Sequence, residues 1–234
     1  MNNFTKTVFI IGSGCQIGKQ LSVDLLKKNY QVICIGRKKS AELKRITYIE
    51  MNLSEEIFEF DKHLSLVSHN SSEINLIYLA SYQIGRKPFV NCSTDEIQKM
   101  ISVNLTNCLL MVHNFFNVFK DKVNSCVIFG SEAAIYGGNR IASYASVKAA
   151  LHCFVKAFSK EIAIYNQRIN IVSPSIMESE HLSNMSEVEK KNLSSSLPFG
   201  RPASLDEVSK VVQFLLSSDS SYVSGITLSV NGAR

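Results

Sequence analysis

Apolar residues along the chain gather into short, near-continuous runs separated by longer stretches of helical period. The runs are residues 7–11 (TVFII), 31–35 (QVICI), 46–51 (ITYIEM), 75–80 (NLIYLA), 126–129 (CVIF), 168–173 (RINIVS) and 226–230 (ITLSV). Such runs, rich in Val and Ile, are expected of strands buried on both faces. Between them, helical spacing runs through Leu21, Leu25 and Leu26 to Asn29, and a further helix fits residues 54–68. Ser93 and Glu96 form an S-x-x-E capping box that opens a helix through Ile97, Met100, Ile101 and Val103 to Asn104. A second box, Ser204 to Glu207, precedes a helix over 208–216. Residues 105–119 and 145–164 are apolar on more than one helical face. A helix of that kind must be covered on more than one side. One side goes to the sheet and the other to a second subunit, so a homodimer or homotetramer is expected.

Composition narrows the class without naming a chemistry. With 234 residues, 45% hydrophobic and 19% charged, the chain reads as an ordinary soluble protein, with one domain spanning 1–234. The net charge of +5 comes from basic residues scattered among acids. No basic block or aromatic-basic array points to nucleic acid, although a mild positive excess suits an anionic cofactor or substrate. No apolar segment has the length of a signal core or membrane span, so no membrane association is expected. The six cysteines show neither C-x-x-C nor zinc spacing, which leaves no metal site and a reduced, cytoplasmic setting as the expectation.

Two stretches carry candidate chemistry. The first strand runs directly into Gly12-Ser13-Gly14-Cys15-Gln16-Ile17-Gly18 and then a helix. Glycines allow close approach of a pyrophosphate, and the helix N-terminus offers N–H donors with a partial positive charge. A purely structural turn is the alternative. The second strand ends in Gly36-Arg37-Lys38-Lys39, where an NAD site normally carries an acid. An arginine there suits a 2′-phosphate; a solvated basic turn is the other reading. Further on, Ser131 follows the 126–129 run, and Tyr144 and Lys148 lie four apart on one helix face. A free tyrosine, with a pKa of about 10, is a poor acid or base at neutral pH. A neighbouring ammonium is expected to lower that value while the serine holds a carbonyl oxygen.

Ser131 followed thirteen positions later by Tyr144-Ala145-Ser146-Val147-Lys148 resembles the active-site signature of the short-chain dehydrogenases/reductases. The resemblance extends over essentially the whole chain. It implies a doubly wound (Rossmann) α/β fold, a mostly parallel seven-stranded sheet with helices on both faces. It implies an NAD(P)-dependent oxidoreductase acting on a small-molecule ketone, aldehyde or alcohol, with NADP(H) favoured over NAD(H) on account of Arg37. Asn104, Ser131, Tyr144 and Lys148 are then the catalytic positions. Cofactor contacts fall on Gly12, Cys15, Gln16, Ile17, Gly18, Arg37, Asn52, Leu53, Ala80, Tyr144, Lys148, Pro174, Ile176 and Ser179. Residues 180–197 stand where the family has a variable substrate lid. Some positions depart from the family's pattern: Ile11 and Gln16 in the glycine turn, Tyr78, Leu79 and Ser81 where the family has N-N-A-G, and Ser175 after Pro174. These departures leave room for an alternative, a nucleotide-sensing or scaffold protein that retains the fold.

Overall fold

The computed structural model describes residues 4–37 and 45–234. Lys38 and Lys39 lie outside the described residues. In chain order the elements are β1 (Lys6–Ile11), α1 (Gln16–Lys27), β2 (Tyr30–Gly36), β3 (Ile46–Glu50), β4 (Glu73–Tyr78), α2 (Thr94–Ile101) and α3 (Asn107–Val118). There follow β5 (Val123–Phe129), α4 (Ala133–Tyr136), α5 (Ala142–Ile162), β6 (Arg168–Pro174), α6 (Glu180–Ser183), α7 (Glu187–Ser195), α8 (Leu205–Leu216) and β7 (Thr227–Val230). The seven strands form one sheet in the order β3-β2-β1-β4-β5-β6-β7. All six pairings are parallel.

Strand alternation divides the core into two layers. Phe9 and Ile11 of β1 face one side, with Met111, Val112 and Phe115 of α3 and Leu151 and Val155 of α5. Val8 and Ile10 face the other, with Leu21 and Leu25 of α1 and Val212 and Leu215 of α8. Both faces are therefore dry, which is why the strands read as unbroken apolar runs. The order reverses between β1 and β4. Ligands of such sheets bind in the crevice at the carboxyl ends of the strands beside that reversal.

Two expected helices come out differently. Residues 54–68 hold only 3₁₀ turns, Phe60–Leu66. Phe58 and Phe60 are two apart and both fully buried, which an extended chain permits and a helix does not. Their rings lie 6.0 and 5.0 Å from that of Phe9, and Asn114 Oδ1 accepts from the Phe60 N–H at 2.7 Å. The helices expected on either side of Asn104 form one continuous run, in which α2 passes into α3 through a π-helical turn, Ser102–Thr106. Residues 180–197, the expected lid, carry the short helices α6 and α7.

Candidate active site

The glycine turn after β1 is made by close backbone approach. Gly12 has φ +82°, and a Cβ on it would meet the Ala80 nitrogen at 2.6 Å. A Cβ on Gly18 would meet the Ser13 carbonyl oxygen at 2.6 Å. Only glycine fits either position. Ile17 turns its side chain into the core, so only its backbone faces the crevice. Cys15 is the N-cap of α1 but gives no side-chain cap, and the first turn holds no acid. By contrast α2, α7 and α8 each open with a complete capping box and acidic residues in the first turn. The N-terminus of α1 thus keeps its donors and its partial positive charge for an anion, which is the donor set a pyrophosphate needs. Gln16 is half-buried at the first position of the helix, and Arg37 is exposed just beyond β2.

The remaining expected cofactor positions have these local partners. Asn52 Oδ1 accepts from the Ser54 N–H at 3.2 Å, and the Leu53 carbonyl accepts from Asn107 Nδ2 at 2.7 Å. Ala80 packs its backbone under Gly12. Pro174 ends β6, the Ile176 carbonyl accepts from the Ala203 N–H, and Ser179 Oγ accepts from Leu182 N–H at the start of α6. Ser179 therefore works as a local cap in this structure.

Ser131, Tyr144 and Lys148 converge where β5 gives way to α5. Ser131 Oγ accepts from the Ala133 N–H at 3.2 Å, which fixes the turn that presents it. Burial raises the pKa of the Tyr144 phenol above its usual value, while hydrogen bonds from the side chains of Ser131 and Gln83 act in the opposite direction. Lys148 is buried, and its ammonium donates to the Phe129 carbonyl at 2.7 Å and lies 5.8 Å from the centre of the Tyr144 ring. Burial lowers its pKa from 10.5 to about 8. The expected depression of the Tyr144 pKa by Lys148 is thus not what the site shows. Burial raises it instead, and the Lys148 ammonium donates to the Phe129 carbonyl.

Asn104 is fully buried in the π-turn. Its Oδ1 accepts from the Tyr82 N–H at 2.6 Å, and its Nδ2 donates to the Tyr82 carbonyl at 2.8 Å. The side chain thereby clamps the loop after β4 by both backbone groups of one residue. Tyr78, in the place of the family's first Asn, donates from its hydroxyl to the Val103 carbonyl at 2.8 Å. It supports the π-turn from the sheet side. Gln83, next to the clamped Tyr82, lines the same cavity as Tyr144. Neither Tyr78 nor Gln83 was foreseen from the sequence; the signal for Tyr78 was a hydroxyl-bearing residue in an otherwise apolar strand end.

Above these groups lies a cavity of about 780 Å³, lined among others by Gln83, Ser131, Tyr144, Arg140 and Ile176. That size suits a small organic substrate. Glu132, beside Ser131, is buried and accepts from Asn231 Nδ2 at 2.7 Å.

The adh_short_C2 family model, described as enoyl-(acyl carrier protein) reductase, matches residues 65–232. The chain belongs to the short-chain dehydrogenase/reductase superfamily. Within it, the chain is 29% identical over 244 aligned residues to 3-oxoacyl-[acyl-carrier-protein] reductase FabG of Buchnera aphidicola subsp. Acyrthosiphon pisum, covering 99% of this chain and 98% of the relative. A short-chain dehydrogenase from Leptospira borgpetersenii, solved with bound NAD⁺, is 27% identical with a TM-score of 0.85 over 98% of this chain and 92% of that one. The structure of ElxO with NADP bound has a TM-score of 0.86 over 98% of both chains at 21% identity, a likeness of fold. As a short-chain dehydrogenase/reductase the protein is an NAD(P)-dependent oxidoreductase, with relatives that include ketoreductases of the FabG kind.

Proposed function

We propose that the protein reduces a ketone or aldehyde carbonyl to an alcohol, with NADPH preferred over NADH and Tyr144 as the proton donor. The observation that carries this reading is the convergence of Ser131, Gln83 and Tyr144 at the floor of one cavity, with Lys148 one helical turn below. A reduced nicotinamide, when bound, supplies a hydride to the carbonyl carbon. Gly12, Gly18 and the free N-terminus of α1 would hold its pyrophosphate, and Arg37 would hold a 2′-phosphate. Ser131 donates a hydrogen bond to the carbonyl oxygen and orients it toward Tyr144. The phenol, kept protonated by its buried setting, gives its proton to that oxygen as negative charge develops there. The phenolate left behind is stabilised by Ser131 and Gln83 and by the nearby ammonium of Lys148. Asn104 holds the Tyr82–Gln83 backbone in register with this site.

The half-buried Phe154 and Phe158 of α5 and the 43% exposed Leu110 of α3 support a homodimer or homotetramer through these two helices. Steady-state oxidation of NADPH against a broad panel of ketones and aldehydes tests the activity. Turnover of at least one carbonyl compound is expected. A protein that binds NADPH but reduces none would favour the nucleotide-sensing alternative.

A further inference from the structure

The cavity above Tyr144 holds more positive charge than its own acids balance. Arg86, Lys87 and Arg140 line it from two loops that meet, the Lys87 N–H donating to the Arg140 carbonyl at 3.1 Å. Lys87 is already neutralised, since its ammonium holds both oxygens of Glu96, at 2.6 and 2.5 Å. Arg86 and Arg140 have no carboxylate partner among the described residues. Arg234 adds a third guanidinium, placed by a 3.3 Å bond to Ser175 Oγ. The acid on the cavity wall, Glu132, is engaged by Asn231.

Arg140 also has an unusual backbone. Its φ is +63°, in the left-handed region, although Gly137, Gly138 and Asn139 immediately before it are residue types that adopt such a turn more readily. Strain of this kind is commonly stored in loops beside reactive sites.

We propose that the substrate is an oxo compound carrying an anionic group, a carboxylate or a phosphate, which Arg140 and Arg86 hold at the outer wall while its carbonyl lies against Ser131 and Tyr144. This rests on the reductase reading of Tyr144. The planar guanidinium fork suits either anion, and two such groups on one cavity wall add to the pairing although both are exposed.

The test uses the full chain and two matched pairs of substrates. One pair is an oxo acid and its methyl ester; the other is an oxoacyl thioester of pantetheine with and without a terminal phosphate. Wild type is expected to favour the charged member of at least one pair by about tenfold or more in kcat/KM. The pair that shows the preference tells whether the anion is a carboxylate or a phosphate. Arg140→Asn should reduce that ratio by most of its value and, because Asn tolerates the left-handed backbone, should fold with a thermal midpoint at or above wild type. If Arg140→Asn fails to fold, Arg86→Ala gives the same readout. Equal kcat/KM within both pairs in wild type overturns the anion site and leaves the reductase reading standing. If no oxo compound is reduced, the reductase reading fails, and calorimetric titration with the oxo acid decides the anion site alone. Binding abolished by Arg140→Asn supports it; no binding overturns it.

Discussion

The Tyr78 hydroxyl donates to the Val103 carbonyl across 2.8 Å, joining the end of β4 to the π-turn that carries Asn104. Both partners are buried, so the bond has no water to replace it. Asn104 in turn grips Tyr82, and Tyr82 leads to Gln83 in the wall of the cavity that holds Tyr144. A residue deep in the sheet is thereby linked to the cavity wall beside Tyr144.

Tyr78→Phe keeps the ring and removes that bond. A buried carbonyl left without its partner costs about 1–3 kcal/mol. The denaturant midpoint should fall accordingly with an unchanged slope, and turnover should fall with it as the Asn104 clamp loosens. A midpoint equal to that of wild type would mean that the carbonyl has another partner in solution.

Gly18→Ala places a methyl group 2.6 Å from the Ser13 carbonyl oxygen, against backbone that cannot swing away. Overpacking of this kind destabilises by about 1–3 kcal/mol. Thermal unfolding should show a clear loss, accompanied by weaker binding of both NADPH and NADH. A variant with normal stability and normal nucleotide affinity would remove the close approach from the account of the turn.

Burial leaves Lys148 with a pKa of about 8 in the folded protein, against an ordinary 10.5. Between these two values the unfolded chain binds more protons than the folded one, so stability rises with pH across that window. Below about pH 8 the ammonium is charged in both states and its desolvation penalty is fully present. Lys148→Met should therefore be at least as stable as wild type at neutral pH and should lose the rise. Denaturation curves of both proteins over that window check the sign. A wild type whose stability is flat there would place the folded pKa of Lys148 near the ordinary value.

The proposed preference for NADPH rests on Arg37, exposed past the end of β2 where an acid would otherwise repel a 2′-phosphate. One charge-assisted bond contributes about 1.5–3 kcal/mol, equivalent to roughly one to two orders of magnitude in affinity. Dissociation constants should favour NADPH by that factor in wild type. Arg37→Ala should erase most of the preference and leave NADH binding nearly unaltered. Equal affinities in wild type would make the 36–37 turn a solvated one.

The strands were legible because a doubly buried parallel sheet leaves no polar face to break the apolar runs. Two capping boxes, Ser93/Glu96 and Ser204/Glu207, marked their helices correctly because the signal is local. A third of the same spacing, Ser186/Glu189, opens α7 within the stretch read only as a lid. Residues 54–68 misled because their composition permits a helix, whereas the burial of Phe58 and Phe60 is decided by Phe9 and Asn114 elsewhere in the chain. The π-turn was equally hidden, since its support comes from Tyr78 on a distant strand. Ser131, Tyr144, Lys148 and Asn104 could be listed from a pattern, but which groups touch the Tyr144 phenol could not. Gln83 shares its cavity wall and the Lys148 ammonium is held by the Phe129 carbonyl, both consequences of tertiary packing.

The proton-donating role of Tyr144 is tested most directly by Tyr144→Phe, with kcat/KM for a reducible carbonyl compound and the dissociation constant for NADPH measured on the same preparation. The ring remains to pack beside Lys148, so the fold and the nucleotide site should persist. A positioned acid contributes about 10²–10⁴-fold. The expected result is a loss of that size in kcat/KM with NADPH affinity within about twofold of wild type. Near-normal turnover in the variant would contradict the assignment and leave the proton to another group in the cavity.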